Sequence, residues 1–328
     1  RFSDMQIAVD AMGGDNAPAQ VLQGASQAAE EYRIDVSVVG LPSSVQPLLD
    51  QHPLLKLVPC TQVVTMEDHP AQAVRSKPDS SMNVCARMCK EGKADGWVSA
   101  GNSGAVMATA LFIQGRIRGV ERPALGTIVP TQTGFAYFLD VGANVDSKPE
   151  YLVQFAAMGA VYARQMMGRT NPRIGLLSNG EEEGKGNELV RETSRRLKGS
   201  MRWFVGNIEP KDLYASKADV VVADGFVGNI AIKMAEATAD FLFRNLREEI
   251  PKSTRGKVGG LLIRGGVRKL RDRIDWREFG GAPLLGIDGV AVVAHGRSDA
   301  RAIKNAIRVA KEAVENQLVG KIRAEVGK

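Results

Sequence analysis

Ile7-Ala8-Val9-Asp10-Ala11-Met12-Gly13-Gly14-Asp15 opens as a strand and closes as a glycine-rich loop. Four later stretches share that plan: Ser99-Ala100-Gly101-Asn102-Ser103-Gly104, Asp140-Val141-Gly142-Ala143-Asn144-Val145-Asp146, Asn179-Gly180-Glu181 and Asp224-Gly225-Phe226-Val227-Gly228-Asn229. In parallel α/β proteins, ligands bind at the carboxyl ends of the strands, where such loops sit. Five of them pointing one way predict one composite site for a small anionic ligand.

Working outward, short apolar runs predict strands at 6–9, 35–39, 56–58, 96–99, 125–129, 136–141, 173–177, 202–205, 219–223 and 290–294. Amphipathic stretches predict helices at 17–31, 43–51, 80–91, 103–113, 150–166, 186–198, 229–247 and 298–318. Ser43, Ser80 and Ser298 suit helix starts, where a short polar side chain caps the free N–H groups. Strand–helix alternation predicts an α/β fold of three layers, a mostly parallel sheet with helices on both faces. One domain over 5–325 is expected, with a basic amphipathic helical or loop insertion at about 248–277. No internal repeat or disordered linker interrupts it.

The chain has 328 residues, 44% of them hydrophobic and 24% charged, which fits a globular protein with a large core. Its 35 glycines gather at strand ends, as positions of close backbone approach. Net charge is +6, with 5% aromatics and no basic stretch interleaved with rings, so nucleic acid is not an expected partner. No run approaches the roughly 18 apolar residues of a membrane span. Nor is there a signal-peptide pattern; a natural start is expected near Met5, with Arg1-Phe2-Ser3-Asp4 as an addition before it. Three cysteines, Cys60, Cys85 and Cys89, argue against a disulfide framework and for a cytoplasmic protein. Cys85 and Cys89 have helical spacing, but no further Cys or His completes a ligand set, so no metal and no cofactor is expected.

Several motifs tempt a specific chemistry. Gly180-Glu181-Glu182-Glu183-Gly184-Lys185-Gly186 is one residue short of a nucleotide-binding P-loop and lacks its Ser/Thr. Lys185 alone reads first as an exposed helix-start residue, and otherwise as a point-charge phosphate contact. Gly101-Asn102-Ser103-Gly104 ends a strand and opens a helix, so its N–H groups and the Ser103 hydroxyl could hold an anion. The plainer reading is a tight turn capped by serine. Asn229 suits a helix cap or, alternatively, a carboxamide that polarises a carbonyl. Asp10, Asp15, Asp140, Asn144 and Asp146 could bind a metal or equally order their loops by side-chain hydrogen bonds. His295, after the strand at 290–294, reads as structural before it reads as a general base. No nucleophile elbow or activated cysteine is present, which favours direct transfer between bound substrates.

Residues 252–273 break the alternation. Lys252, Arg255, Lys257, Arg264, Arg268, Lys269, Arg271 and Arg273 face a single acid, Asp272, with Leu261, Leu262, Ile263, Val267 and Leu270 among them. Glycines at 259, 260, 265 and 266 weaken any continuous helix there. Such a segment suits an anionic membrane surface, or a hairpin packed in a dimer.

Taken together and in order, the glycine-rich loops resemble the bacterial phosphate acyltransferase family, PlsX. Glu182-Glu183-Gly184-Lys185-Gly186-Asn187-Glu188 and Gly281-Ala282-Pro283-Leu284-Leu285-Gly286 add to the match, which covers about 5–325. Departures are small: Asn16, Ser103, Val227 and Arg297 replace the pattern's residues, and Val227 supplies no hydroxyl. The resemblance implies a fold like phosphotransacetylases and isocitrate/isopropylmalate dehydrogenases. It implies transfer of a fatty acyl group from acyl-[acyl carrier protein] to inorganic phosphate, giving acyl phosphate for phospholipid synthesis. It further implies a homodimer, peripherally membrane-associated in the cytoplasm, that supplies a membrane glycerol-3-phosphate acyltransferase.

For that chemistry Lys185 and Asn229 are the expected catalytic groups. Gly13, Gly14, Asp15, Gly101, Asn102, Ser103, Gly104, Asn144, Gly225 and Gly228 are expected to bind substrate and phosphate. Asp10, Asp140, Asp146, Asp224 and His295 are expected to support the loops. Acyl carrier protein is expected to meet basic residues, either 252–273 or Arg191, Arg195, Arg196 and Lys198. The rivals are a phosphotransacetylase-like enzyme using acyl-coenzyme A, a decarboxylating dehydrogenase, and a non-catalytic membrane-surface adaptor.

Overall fold

The structure is a computed structural model and describes residues 5–327; Arg1–Asp4, and the addition expected there, lie outside the described residues. Eleven strands form one sheet: β1 (Gln6–Asp10), β2 (Asp35–Gly40), β3 (Leu55–Pro59), β4 (Gly96–Ser99), β5 (Ala124–Thr131), β6 (Gly134–Leu139), β7 (Ile174–Leu177), β8 (Phe204–Ile208), β9 (Val220–Val222), β10 (Ala282–Leu285) and β11 (Val290–Val293). The helices are α1 (Ala19–Tyr32), α2 (Pro42–Leu49), α3 (Pro70–Ser76), α4 (Ser81–Lys90), α5 (Ser103–Thr109), α6 (Pro149–Met166), α7 (Glu188–Ser200), α8 (Pro210–Tyr214), α9 (Gly225–Glu249), α10 (Thr254–Arg273), α11 (Ala300–Glu315) and α12 (Leu318–Val326).

Strand order is β3-β2-β1-β4-β11-β10-β5-β6-β9-β7-β8. Pairing is parallel on both flanks, but β10 is antiparallel to β11 and to β5, and β5 is antiparallel to β6. Strands β6 to β8 therefore run opposite to β1–β4 and β11. This corrects the expectation that all five loops point one way. The loops after β1 and β4 form one group, joined by the one after β11; those after β6, β7 and β9 form another. Short apolar runs carry no mark of direction, and β10 (Ala282–Leu285) is not among the expected strands, so the reversal was hidden.

Register brings the two groups back toward each other. Pro283 pairs with Val292, Leu284 with Leu125, and Gly126 with Leu139. The carboxyl end of β6 therefore lies beside the middle of the sheet, not at its far edge. Ala143 in the following loop packs against the core cluster that holds Ala105, Val106 and Val293.

The core is layered as the pattern predicts. Trp97, Phe138, Phe155, Leu22 and Leu152 are fully buried, each stabilising by roughly 1.5–3 kcal/mol. Cys60 and Cys85 are buried and unpaired, and burial pushes the Cys60 thiol up to about 11. The first half is built from both ends of the chain. β11 lies between β4 and β10, and α11 covers α1 so closely that a Cβ on Gly24 would stand 2.4 Å from the Ala300 carbonyl oxygen.

Three local expectations change. Ser80 caps α4 as predicted, but Asp299 rather than Ser298 caps α11, and α2 begins at Pro42 without a side-chain cap. Helix α9 begins at Gly225, not 229, because Asp224 accepts from the N–H groups of Phe226 and Val227. Helix α10 is continuous despite its glycines. Ser253 caps it, and Gly256 and Gly260 sit against Ile250, where side chains would collide.

Candidate active site

Each loop group is organised by one buried aspartate at a strand end. Asp10 ends β1; its Oδ1 accepts from Met12 N at 3.1 Å and its Oδ2 from Ser99 Oγ at 2.7 Å. Ser99 Oγ in turn accepts from Gly101 N at 3.1 Å, so one carboxylate fixes two loops. Burial raises the Asp10 pKa, and hydrogen bonds from Ser81, Ser99, Met12 and Gly13 oppose the rise. A Cβ on Gly13 would lie 2.7 Å from both Asp10 Oδ2 and Gly101 N, so only glycine lets these backbones meet. Gly14 sits at φ +102°, and Asp15 N donates to the Gly296 carbonyl at 2.8 Å. That bond ties the first loop to the one carrying His295.

Asn102, not Ser103, caps α5 by accepting from Ala105 N at 3.1 Å. Its own amide donates to the carbonyls of Met66 and Asp68. Ser103 and Gly104 therefore occupy the first helical positions, with Ser103 exposed. His295 is exposed beside them. Partial burial lowers its pKa from 6.5, and Arg297 and Lys233 lower it further against Glu236 and Asp15. Lys233 and Glu236 belong to α9, which starts in the second group and so reaches the first.

In the second group Asp140 does the work of Asp10. Its Oδ1 accepts from the N–H groups of Leu125, Gly142 and Ala143, and its Oδ2 from Asn144 N and Nδ2 at 2.7 and 2.8 Å. Burial raises its pKa against these bonds, those from Ala143 and Asn144 foremost. Asn144 is buried and also donates to the Pro123 carbonyl at 2.7 Å, so its amide orders the loop. Gly225 N donates to the Asn144 carbonyl at 2.9 Å. Asp146 is exposed at the loop's outer end.

Because Asp224 caps α9, Asn229 is released from that duty. Its half-buried carboxamide has no hydrogen-bond partner among the described residues and lies 3.5 Å from where a Cβ on Gly142 would stand. Lys185 is held apart, in the loop after β7. Lys185 N donates to Glu182 O, Gly186 N donates to Asn179 Oδ1, and the side chain is exposed without an ion pair among the described residues. Glu181 pairs with Lys217 and Lys211, and Glu183 pairs with Lys198. Two of the three adjacent glutamates are thus neutralised away from Lys185. Strand β7 is next to β9, so this loop leaves the sheet beside the Asp224 turn.

The basic stretch on α7 is not a free cationic face. Arg195 and Arg196 pair with Glu192, Arg196 also with Glu150, and Arg191 donates to the Gly186 carbonyl. No group of three His, Cys, Asp or Glu that could hold a metal is present among the described residues. Ser99, which no loop pattern singled out as functional, links the two loops of the first group.

A family model described as "Fatty acid synthesis protein" matches residues 5–321. The phosphate acyltransferase of Desulfitobacterium hafniense strain Y51 is 47% identical over 98% of this chain and 97% of its own length. That of Pelotomaculum thermopropionicum is 46% identical over 98% and 95%. The chain belongs to the phosphate acyltransferase family. It is an acyltransferase, and its fold is that of phosphotransacetylases. A phosphotransacetylase from Streptococcus pyogenes superposes with TM-score 0.65 at 18% identity, covering 95% of this chain and 94% of that one. A 4-hydroxythreonine-4-phosphate dehydrogenase from Klebsiella pneumoniae shares the architecture at TM-score 0.54 and 11% identity, covering 95% and 99%. Family membership carries acyl transfer to phosphate.

Proposed function

We propose that this acyltransferase takes a fatty acyl group from acyl-[acyl carrier protein] and passes it directly to inorganic phosphate, as the entry step of phospholipid synthesis. Phosphate is already an anionic nucleophile at neutral pH. One of its oxygens attacks the thioester carbon, the C–S bond breaks, and the thiolate leaves to take a proton from water. Strong general-base help is unnecessary; the site must bind phosphate near the carbon and stabilise the oxyanion. The free N–H groups at the start of α5, Ser103 and Gly104, and the Ser103 hydroxyl serve phosphate, Gly13, Gly14, Asp15, Gly101 and Asn102 shape its cradle, and Gly225 and Gly228 admit the close approach of the Asp140 loop. Asn229 and Lys185 polarise the carbonyl. The observation that carries this reading is the unpartnered Asn229 carboxamide, set free by the Asp224 cap beside a glycine-rich loop.

The test is phosphate-dependent release of free thiol from palmitoyl-[acyl carrier protein], with acyl phosphate trapped by hydroxylamine. Release that needs both phosphate and protein is expected. Release only from palmitoyl-coenzyme A would move the donor to that thioester, and silence with both would sink the proposal.

The α9–α10 hairpin supports peripheral membrane contact. Helix α10 buries no residue, Leu262 is 80% exposed, and Arg255, Lys257, Arg264, Arg268 and Lys269 have no ion pair among the described residues. Among the described residues no helix is long and apolar enough to cross a membrane. Such a face suits adsorption to anionic lipid, where it would deliver acyl phosphate to a membrane glycerol-3-phosphate acyltransferase. Flotation with phosphatidylglycerol vesicles is expected, and it is expected to drop severalfold in a Leu261→Asp/Leu262→Asp variant. Equal flotation of the variant would reassign the face, first of all to the proposed homodimer.

A further inference from the structure

One wall of the first loop group is made by residues 63–77. Met66 Cε stands 3.5 Å from the Cβ position of Gly296, and Pro70 Cγ lies 2.8 Å from that of Gly104. Asn102 holds the segment through the Met66 and Asp68 carbonyls. Helix α3 thus lies on the start of α5. Its outer side, with His69, Gln72, Arg75 and Ser76, lines an open depression of about 540 Å³.

The cations of this wall differ in what they hold. Lys77 is taken by Asp68 and by the Val63 carbonyl. Arg75 has no ion pair among the described residues. Its guanidinium lies over the Phe112 ring, 4.9 Å from the centroid, and Phe112 is itself 52% exposed. Stacking fixes the plane of a guanidinium and leaves its N–H donors unused, the arrangement that suits a phosphate ester. Arg75 therefore stacks on Phe112 without holding a carboxylate among the described residues, toward the end of α3 opposite the Pro70 contact with Gly104.

We infer that this depression receives the phosphate-bearing pantetheine arm of the thioester donor, with Arg75 on its phosphodiester. The inference rests on the acyl-transfer reading above and extends it to a donor subsite. Carrier protein and coenzyme A carry the same arm. The pantetheine chain separates the sulfur from a phosphodiester in carrier protein and from a pyrophosphate in coenzyme A, so the phosphate next to pantetheine binds at the rim while the thioester reaches the loops. Phosphate as co-substrate needs a different place, next to the thioester carbon.

The experiment compares kcat/KM for palmitoyl-[acyl carrier protein], palmitoyl-coenzyme A and palmitoyl-pantetheine, which lacks phosphate, in wild type, Arg75→Ala and Arg75→Lys. The preference for the two phosphate-bearing donors over palmitoyl-pantetheine is expected to fall about tenfold in Arg75→Ala, the loss of one charge-assisted contact. Arg75→Lys is expected to restore part of it. An unchanged preference would overturn the inference, as would a loss confined to the carrier protein, which would mean a contact with the carrier's surface. A raised KM for inorganic phosphate would also overturn it, by placing Arg75 in the co-substrate site. Calorimetric titration with 4′-phosphopantetheine is independent of turnover. Weaker binding to Arg75→Ala than to wild type supports the subsite even if no thioester is consumed, whereas equal or absent binding to both rejects it.

Discussion

Gly228→Ala is expected to destabilise the protein by about 3 kcal/mol or more, beyond the usual cost of overpacking. Within a helix the same substitution ordinarily stabilises by about 1 kcal/mol, because alanine has the better helix propensity. Here the sign reverses. A Cβ on Gly228 would stand 1.9 Å from the Asp140 carbonyl oxygen, a backbone atom that no rotamer change can move aside. Helix α9 would have to lift from the loop, pulling Gly225 N from the Asn144 carbonyl and moving Asn229 with it. Thermal unfolding measures the cost, and the matched control is Gly259→Ala, whose Cβ meets nothing within 4 Å. The control is expected to hold or raise Tm while Gly228→Ala lowers it by several degrees. Equal Tm values for the two variants would mean that α9 does not seat on the Asp140 loop as described.

Asn229→Ala is expected to lower kcat by roughly 10²–10³, the usual loss when one oxyanion donor is removed. The side chain has no hydrogen-bond partner among the described residues, so its removal should leave Tm nearly unchanged. That separates the effect from a folding defect. Asn229→Asp keeps the shape and replaces the donor by an anion; it should be no better than alanine. Lys185→Ala is expected to reduce kcat/KM as well, since an exposed lysine without an ion pair has no structural bond to lose. A Lys185→Ala enzyme with unchanged kcat/KM would remove Lys185 from the reaction. A kcat loss under threefold for Asn229→Ala would leave the carbonyl without its assigned donor.

Much of this architecture was legible because strand ends and caps are local. The runs at 6–9, 96–99, 219–223 and 290–294 become β1, β4, β9 and β11 within a residue or two. Asp10 and Asp140 order their loops by the side-chain bonds that an aspartate at a strand end can make. What stayed hidden is non-local. Parallel and antiparallel strands look alike, whether of four residues, as β10, or of eight, as β5, so the reversal through β10, β5 and β6 left no trace. The start of α9 depended on which of two polar residues caps it, and Asp224 and Asn229 both have the chemistry. In α10 only Gly256 and Gly260 are required by the close approach of Ile250, while Gly259, Gly265 and Gly266 face open space. Arg75 carried no pattern, because its meaning comes from Phe112, far along the chain and beneath it in the fold.

The placement of β11 has a consequence for synthesis. The half with the Asp10, Ser99 and Gly101 loops takes an internal strand, β11, and the cover of α1, α11, from the end of the chain. The Asp15–Gly296 bond joins residues almost the whole length apart. On the ribosome, the other half, from β5 to β9, has all its strands before β11 is made. The first half must wait with β4 unpaired on one side, an open edge that invites association until β11 is made. Such long-range closure also slows refolding. A truncation before β11 would therefore undo the loops after β1 and β4, which are encoded far upstream and carry the proposed phosphate contacts.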